Sequence, residues 1–119
     1  MKAKLQPHTV PVGRFAPTPS GFLHLGNLFC SLLAWLSAKS KGGRIILRIE
    51  DLDPQRCPRQ NADVLAKDLE WLGLTWDEGA YVGADSEAYF QSQRSEIYRQ
   101  YFAKLADQDL VYPCFCSRA

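Results

Sequence analysis

Pro17-Thr18-Pro19-Ser20-Gly21 constrains this chain more than any other stretch, because no regular element can run through it. Proline cannot extend a strand ladder. The apolar run Val10-Pro11-Val12-Gly13-Arg14-Phe15-Ala16 therefore reads as a short buried strand that ends at this loop. Beyond the loop, Leu25, Leu28, Phe29, Leu32, Leu33 and Leu36 recur at the i, i+3, i+4, i+7 spacing of a helix. Its last turn contains Lys39 and Lys41, and Gly42-Gly43 supplies the stop.

The same alternation continues. Arg44-Ile45-Ile46-Leu47-Arg48-Ile49 is β-branched and continuous enough for a strand inside a sheet, and the polar segment 50–56 follows as a loop. A second helix is expected over about 61–72, with Ala62, Leu65, Leu69 and Leu72 on one face and Gly73 beyond its end. Residues 81–86 read as loop. A third helix over about 93–106 places Ile97, Tyr98, Tyr101, Phe102 and Leu105 on one side. Leu110-Val111-Tyr112 then opens a last extended stretch. The order strand, helix, strand, helix, helix, strand predicts an α/β fold with a parallel sheet and right-handed crossovers.

With 119 residues there is room for one domain at most, with a single modest core. A net charge of +1 gives no compositional sign of a nucleic-acid binder, although a basic face elsewhere in a longer enzyme would not show in it. No apolar run approaches the roughly 20 residues that cross a bilayer. Met1-Lys2-Ala3-Lys4-Leu5-Gln6-Pro7 lacks the apolar stretch of a secretion signal, so a cytoplasmic location is expected, with no membrane partner. Of four cysteines, Cys30 and Cys57 stand alone, while Cys114 and Cys116 form a Cys-x-Cys pair that suggests metal more than a disulfide.

Ligands of open α/β sheets bind at the carboxyl ends of strands, where helix N-termini favour anions. His24-Leu25-Gly26-Asn27 falls at that place. Gly26 would let a phosphate approach the backbone, His24 can donate a ring N–H to a phosphate oxygen, and free backbone N–H groups would add donors. For phosphoryl chemistry, positioning and charge stabilisation of this kind suffice. Alone, His-x-Gly-x also describes a helix start bonded only to itself.

The surrounding residues narrow the choice. Arg14-Phe15-Ala16-Pro17-Thr18-Pro19-Ser20-Gly21 followed by Leu23-His24-Leu25-Gly26-Asn27 resembles the "HIGH" region of the glutamyl and glutaminyl branch of class I aminoacyl-tRNA synthetases. Leu47-Arg48-Ile49-Glu50-Asp51-Leu52-Asp53, Leu72-Gly73-Leu74-Thr75-Trp76-Asp77-Glu78-Gly79 and Tyr89-Phe90-Gln91-Ser92-Gln93-Arg94 resemble the same branch, so the likeness covers nearly everything after Val10.

That resemblance implies a truncated Rossmann-like nucleotide-binding domain. Residues 1–9 would be an N-terminal extension, and 10–119 the first part of the catalytic domain, ending at the start of a zinc-binding insertion. It implies attack of the glutamate α-carboxylate on the α-phosphorus of ATP (used with Mg2+), then transfer of glutamate to tRNA. Arg14 would pair with the substrate's side-chain carboxylate, a task suited to a forked guanidinium. Ala16 and Thr18 would line the glutamate site, and Glu50 would receive the α-ammonium group. Pro17, His24, Gly26 and Asn27 would hold ATP, with His24, Gly26 and Asn27 serving catalysis; Asn27 replaces the motif's second histidine. Asp51 and Asp53 could instead cap the turn before Pro54. Cys114 and Cys116 resemble the first half of a zinc site whose other ligands lie beyond Ala119; neither His8 nor His24 is an obvious partner.

Two enzymes share these blocks: glutamyl-tRNA synthetase, which charges tRNA(Glu), and glutamyl-Q tRNA(Asp) synthetase, which modifies the queuosine of tRNA(Asp). Ala16-Pro17-Thr18-Pro19-Ser20-Gly21, Glu50-Asp51-Leu52-Asp53-Pro54-Gln55-Arg56 and Tyr112-Pro113-Cys114-Phe115-Cys116-Ser117-Arg118-Ala119 are more similar to the second. The lysine-rich "KMSKS" loop has no counterpart here, so these 119 residues alone are expected not to aminoacylate. The alternatives are a HIGH-type nucleotidyltransferase, which leaves Arg14 and Glu50 unexplained, and a non-catalytic binding module. A truncated sheet would also expose an edge or an apolar face and favour self-association.

Overall fold

The computed structural model describes residues 10–116. The N-terminal extension (1–9) and the last three residues lie outside that range. Strand β1 (Val12–Phe15) leads through the proline loop to helix α1 (Leu25–Lys39), and strand β2 (Arg44–Leu47) to helix α2 (Arg59–Trp71). A two-residue strand β3 (Glu78–Gly79) follows, then 3-10 turns at Ser86–Tyr89 and Gln91–Arg94, and helix α3 (Ser95–Ala106). The sheet is parallel in the order β1-β2-β3.

Register sorts the side chains. Phe15 pairs with Leu47 and Gly13 with Ile45 on one face, whereas Arg14 pairs with Ile46 on the other. The first face is the core: Phe15, Ile45, Leu47 and Ile49 pack with Ala38 of α1, with Ala62, Leu65 and Leu69 of α2, and with Phe90. Burying each leucine contributes about 1.5–3 kcal/mol. The opposite face carries Arg14, Arg44 and Arg48, which are exposed or half-buried.

Three departures from expectation have physical causes. The leucine stripe of α1 does not face the core: Leu25 is 82% and Phe29 56% exposed, and Leu32, Leu33 and Leu36 are exposed as well. The helix docks instead through Ala34 and Ala38, with Leu28 and Trp35 at its flank. Glycine at position 13 makes this close approach possible, since a Cβ there would stand 2.7 Å from Ile45 Cδ1 and 3.2 Å from Ala38 Cβ. Segment 110–112 forms no strand. The Leu110 N–H donates to Leu105 O at 3.0 Å, which closes the end of α3, with Asp109 left-handed at φ 55°.

The third strand is β3, which no periodicity announces. Its pairing depends on Gly79, whose φ is 121° and where a Cβ would fall 2.1 Å from the Leu47 carbonyl oxygen. The observed order is therefore strand, helix, strand, helix, strand, helix. The second helix starts at Arg59, two residues before the expected Asn61, and α3 is preceded by a 3-10 turn. None of α3's residues is buried.

Candidate active site

Past the ends of β1 and β2 the two chains stay together. The Arg48 N–H donates to Phe15 O at 2.9 Å and the Glu50 N–H to Pro17 O at 3.0 Å. Those bonds bring the proline loop beside Glu50. Three adjoining cavities open around the loop. One is lined by Arg14, Ala16, Pro17 and Asn27 among others. The largest, about 450 Å³, shares Ala16, Pro17 and Asn27 with it and adds Thr18, Ser20 and His24. The third takes Thr18 and Ser20 across to Glu50, Asp53, Arg56, Cys57 and Gln91. A volume of this size falls in the range of small-ligand sites.

His24 is the N-cap of α1. Its Nδ1 accepts from the Gly26 N–H at 3.1 Å and the Asn27 N–H at 3.4 Å, and its own N–H donates to Asn27 Oδ1 at 3.3 Å. This is a capping box in which histidine and asparagine replace the usual residue types. First-turn amides expected to face a phosphate are thus bonded to His24 instead. A nitrogen accepting two N–H groups carries no proton, so the ring N–H sits on Nε2 and is the donor left for a ligand. Gly26 serves the cap too: a Cβ there would stand 3.0 Å from His24 Cε1. The first turn holds no acidic residue, which leaves the helix N-terminus attractive to an anion.

Glu50 does not stand alone. Its carboxylate pairs with the Arg48 guanidinium, both side chains being about 30% exposed. Arg48 Nε is buried with no acceptor. Arg48 and Glu50 are two apart along an extended segment and so share a face, a signal that the spacing already contained. Asp53 caps the turn as expected, accepting from the Gln55 N–H at 3.1 Å and the Arg56 N–H at 3.2 Å. Asp51 does not. It is buried and accepts from the Ser92 N–H (3.0 Å) and Ser92 Oγ (2.8 Å). No local pattern announces a bond across 41 positions.

Arg59 opens α2 beside Phe90. Its guanidinium lies 3.6 Å from the centre of the Phe90 ring and forks to Glu87 at 3.0 and 2.8 Å. Those bonds push the Arg59 pKa up and hold the Glu87 carboxyl below its ordinary value. Tyr81 donates to Asp63 at 2.7 Å, and burial together with that carboxylate pushes its phenol up. Cys57 is buried beside the Glu50 cavity, its thiol pushed up by burial and then by Asp53.

Among the expected residues, Arg14, Ala16, Pro17, Thr18, His24, Asn27 and Glu50 line the three cavities. Gly26 lines none of the three. Cys114 and Cys116 are free thiols on an exposed irregular segment. Hydrogen bonds from Cys116 hold the Cys114 thiol below its ordinary value. Among the described residues no three His, Cys, Asp or Glu side chains gather, so the pair does not form a four-ligand zinc site there. No helix among them is long and apolar enough to cross a membrane.

Comparison with known proteins gives this arrangement its class. Residues 10–119 match the family of class I tRNA synthetases (E and Q), in its catalytic domain. The chain belongs to that family. It is 56% identical over 107 residues to a glutamyl-Q tRNA(Asp) synthetase of Symbiobacterium thermophilum, covering 90% of this chain and 33% of that protein. It is 47% identical over 104 residues to glutamate–tRNA ligase 2 of Alkalilimnicola ehrlichii, covering 87% of this chain and 22% of that one. A crystal structure of a glutamate tRNA ligase from Elizabethkingia meningosepticum, in complex with its amino acid, superposes with a TM-score of 0.68. That match has 36% identity and covers 83% of this chain and 20% of the other. The chain thus spans a third or less of the relatives it matches. The parallel sheet with its helices is the α/β fold of a class I synthetase catalytic domain.

Proposed function

We propose that this chain forms the first half of a glutamate-activating site, binding glutamate and ATP for adenylate formation and transfer to tRNA. The observation that carries this reading is the run of three cavities with Arg14 at one end, His24 in the middle and Glu50 at the other. A guanidinium fits the substrate's side-chain carboxylate, the His24 Nε2–H a phosphate oxygen, and the Glu50 carboxylate an α-ammonium group. In this reading Ala16 and Thr18 line the glutamate end, and Pro17 and Asn27 lie against ATP. Residues 10–119 are then the opening part of the catalytic domain. The chain alone does not aminoacylate, and zinc, if the complete protein holds it, takes Cys114 and Cys116 with further ligands.

Within the family we favour the glutamyl-Q tRNA(Asp) branch, a tRNA-modifying cytoplasmic enzyme. The 56% identity to one such protein, against 47% to a glutamate–tRNA ligase, supports it, while a second glutamyl-Q relative stands level with the ligases at 46%. Calorimetry with a non-hydrolysable glutamyl-adenylate analogue tests the site. Binding that Arg14→Ala weakens by about tenfold or more supports the reading; a folded chain that binds nothing favours a non-catalytic module. Glutamate-dependent ATP–pyrophosphate exchange without tRNA, by the complete protein, supports the glutamyl-Q branch, and strict tRNA dependence favours glutamyl-tRNA synthetase. A second reading, self-association of this chain, is favoured by the open apolar side of α1.

A further inference from the structure

We infer that Asp51 and Ser92 are positioning residues for Glu50, fixing where its carboxylate stands in the site. The inference rests on the glutamate-site reading above. Glu50 lies three residues past the end of β2, on a loop, where its pairing with Arg48 would by itself leave the backbone beneath both side chains free to shift. Bonds to the segment 89–92 remove that freedom from both sides. On the N-terminal side, the Ile49 N–H donates to Tyr89 O at 2.9 Å and the Gln91 N–H to Ile49 O at 2.9 Å. On the C-terminal side, Ser92 donates twice to Asp51. The Ile49 backbone before Glu50 and the Asp51 side chain after it are therefore both held, and Gln91 is carried into the same cavity.

The chemistry of the clip points the same way. Asp51 is the one buried charged residue among those described, and both its oxygens are taken by a single neutral residue. Taking a carboxylate out of water without a cation is costly, and an apolar pair of similar shape would stabilise the fold at least as well. What a carboxylate adds is direction: two lone pairs fix the height and the rotation of the chain next to Glu50. A displacement of about 1 Å at such a contact is enough to lower productive binding by an order of magnitude or more.

Calorimetry with two analogues tests this: a glutamyl sulfamoyl adenosine, and its glutaryl counterpart, which lacks the α-ammonium group. Ser92→Ala is expected to weaken the glutamyl compound at least about tenfold and leave the glutaryl compound unchanged. Ser92→Thr, which restores the hydroxyl, is expected to recover the loss. Equal losses for both compounds, or no loss, overturn the inference and leave the glutamate site standing. If Ser92→Ala does not fold, Asp51→Asn, which keeps the shape and removes the charge, is read by the same two compounds. A native chain that binds neither compound overturns the site reading, and the inference falls with it.

Discussion

Helices α1 and α2 carry apolar residues at the same spacing, and they meet the sheet in opposite ways. Helix α2 buries its stripe: Ala62, Leu65, Ala66 and Leu69 all face the core. Helix α1 turns Leu25, Leu32, Leu33 and Leu36 outward and fully buries only Ala38, because Gly13 lets it lie so close to β1 that small residues fit directly over the strand. Periodicity identifies an apolar face, but which face meets the sheet is decided by the side chains of the strand beneath.

The comparison can be broken most sharply by replacing one leucine in each helix. Leu69→Ala should cost about 2–5 kcal/mol in urea unfolding. Leu33→Gln, on the outer side of α1, should change stability by about 0.5 kcal/mol or less and should reduce any self-association seen by sedimentation. A large loss at Leu33 would mean that the outer face is a core after all. Gly13→Val tests the close approach itself, with an expected loss of about 1–3 kcal/mol from overpacking against Ile45 and Ala38. A neutral effect would show that α1 can stand further from β1.

A further small effect concerns the tie between the end of α1 and the sheet. Asp77 accepts from Lys39 Nζ and from the Ile45 N–H, each at 2.7 Å, and these bonds hold its carboxyl below the ordinary value. A depressed folded value gives stability that is complete above the unfolded value, about pH 4, and is lost as pH falls through the lower folded one. The pair is partly exposed, so its worth is below about 1 kcal/mol. The melting temperature of the native chain should exceed that of Asp77→Asn at pH 6, and the gap should close as pH drops below 4. A gap that widens on acidification would contradict this sign.

Most of this fold is legible in the residues. The proline loop, the Gly42 and Gly73 stops and the β-branched run of β2 each specify local geometry, and the elements fall where these place them. Strand β3 is not legible, because two residues have no period and their pairing depends on a missing side chain at position 79. Leu110-Val111-Tyr112 has strand composition but, among the described residues, no strand to pair with. The site divides in the same way. His24, Arg14 and Glu50 stand in contiguous motifs at strand ends. The Arg48–Glu50 pair was readable from alternation, whereas Asp51 and Ser92 meet only through the fold.

The cap at His24 couples two events that are elsewhere separate. An acceptor arriving at Nε2–H pulls on that proton, pushes electron density into the imidazole ring and makes Nδ1 a better acceptor for the Gly26 and Asn27 amides. Occupancy of the cavity and the order of the first helical turn then rise together. The histidine is a transmitter between solvent and backbone, and slower amide exchange at residues 26 and 27 is how a bound anion would register.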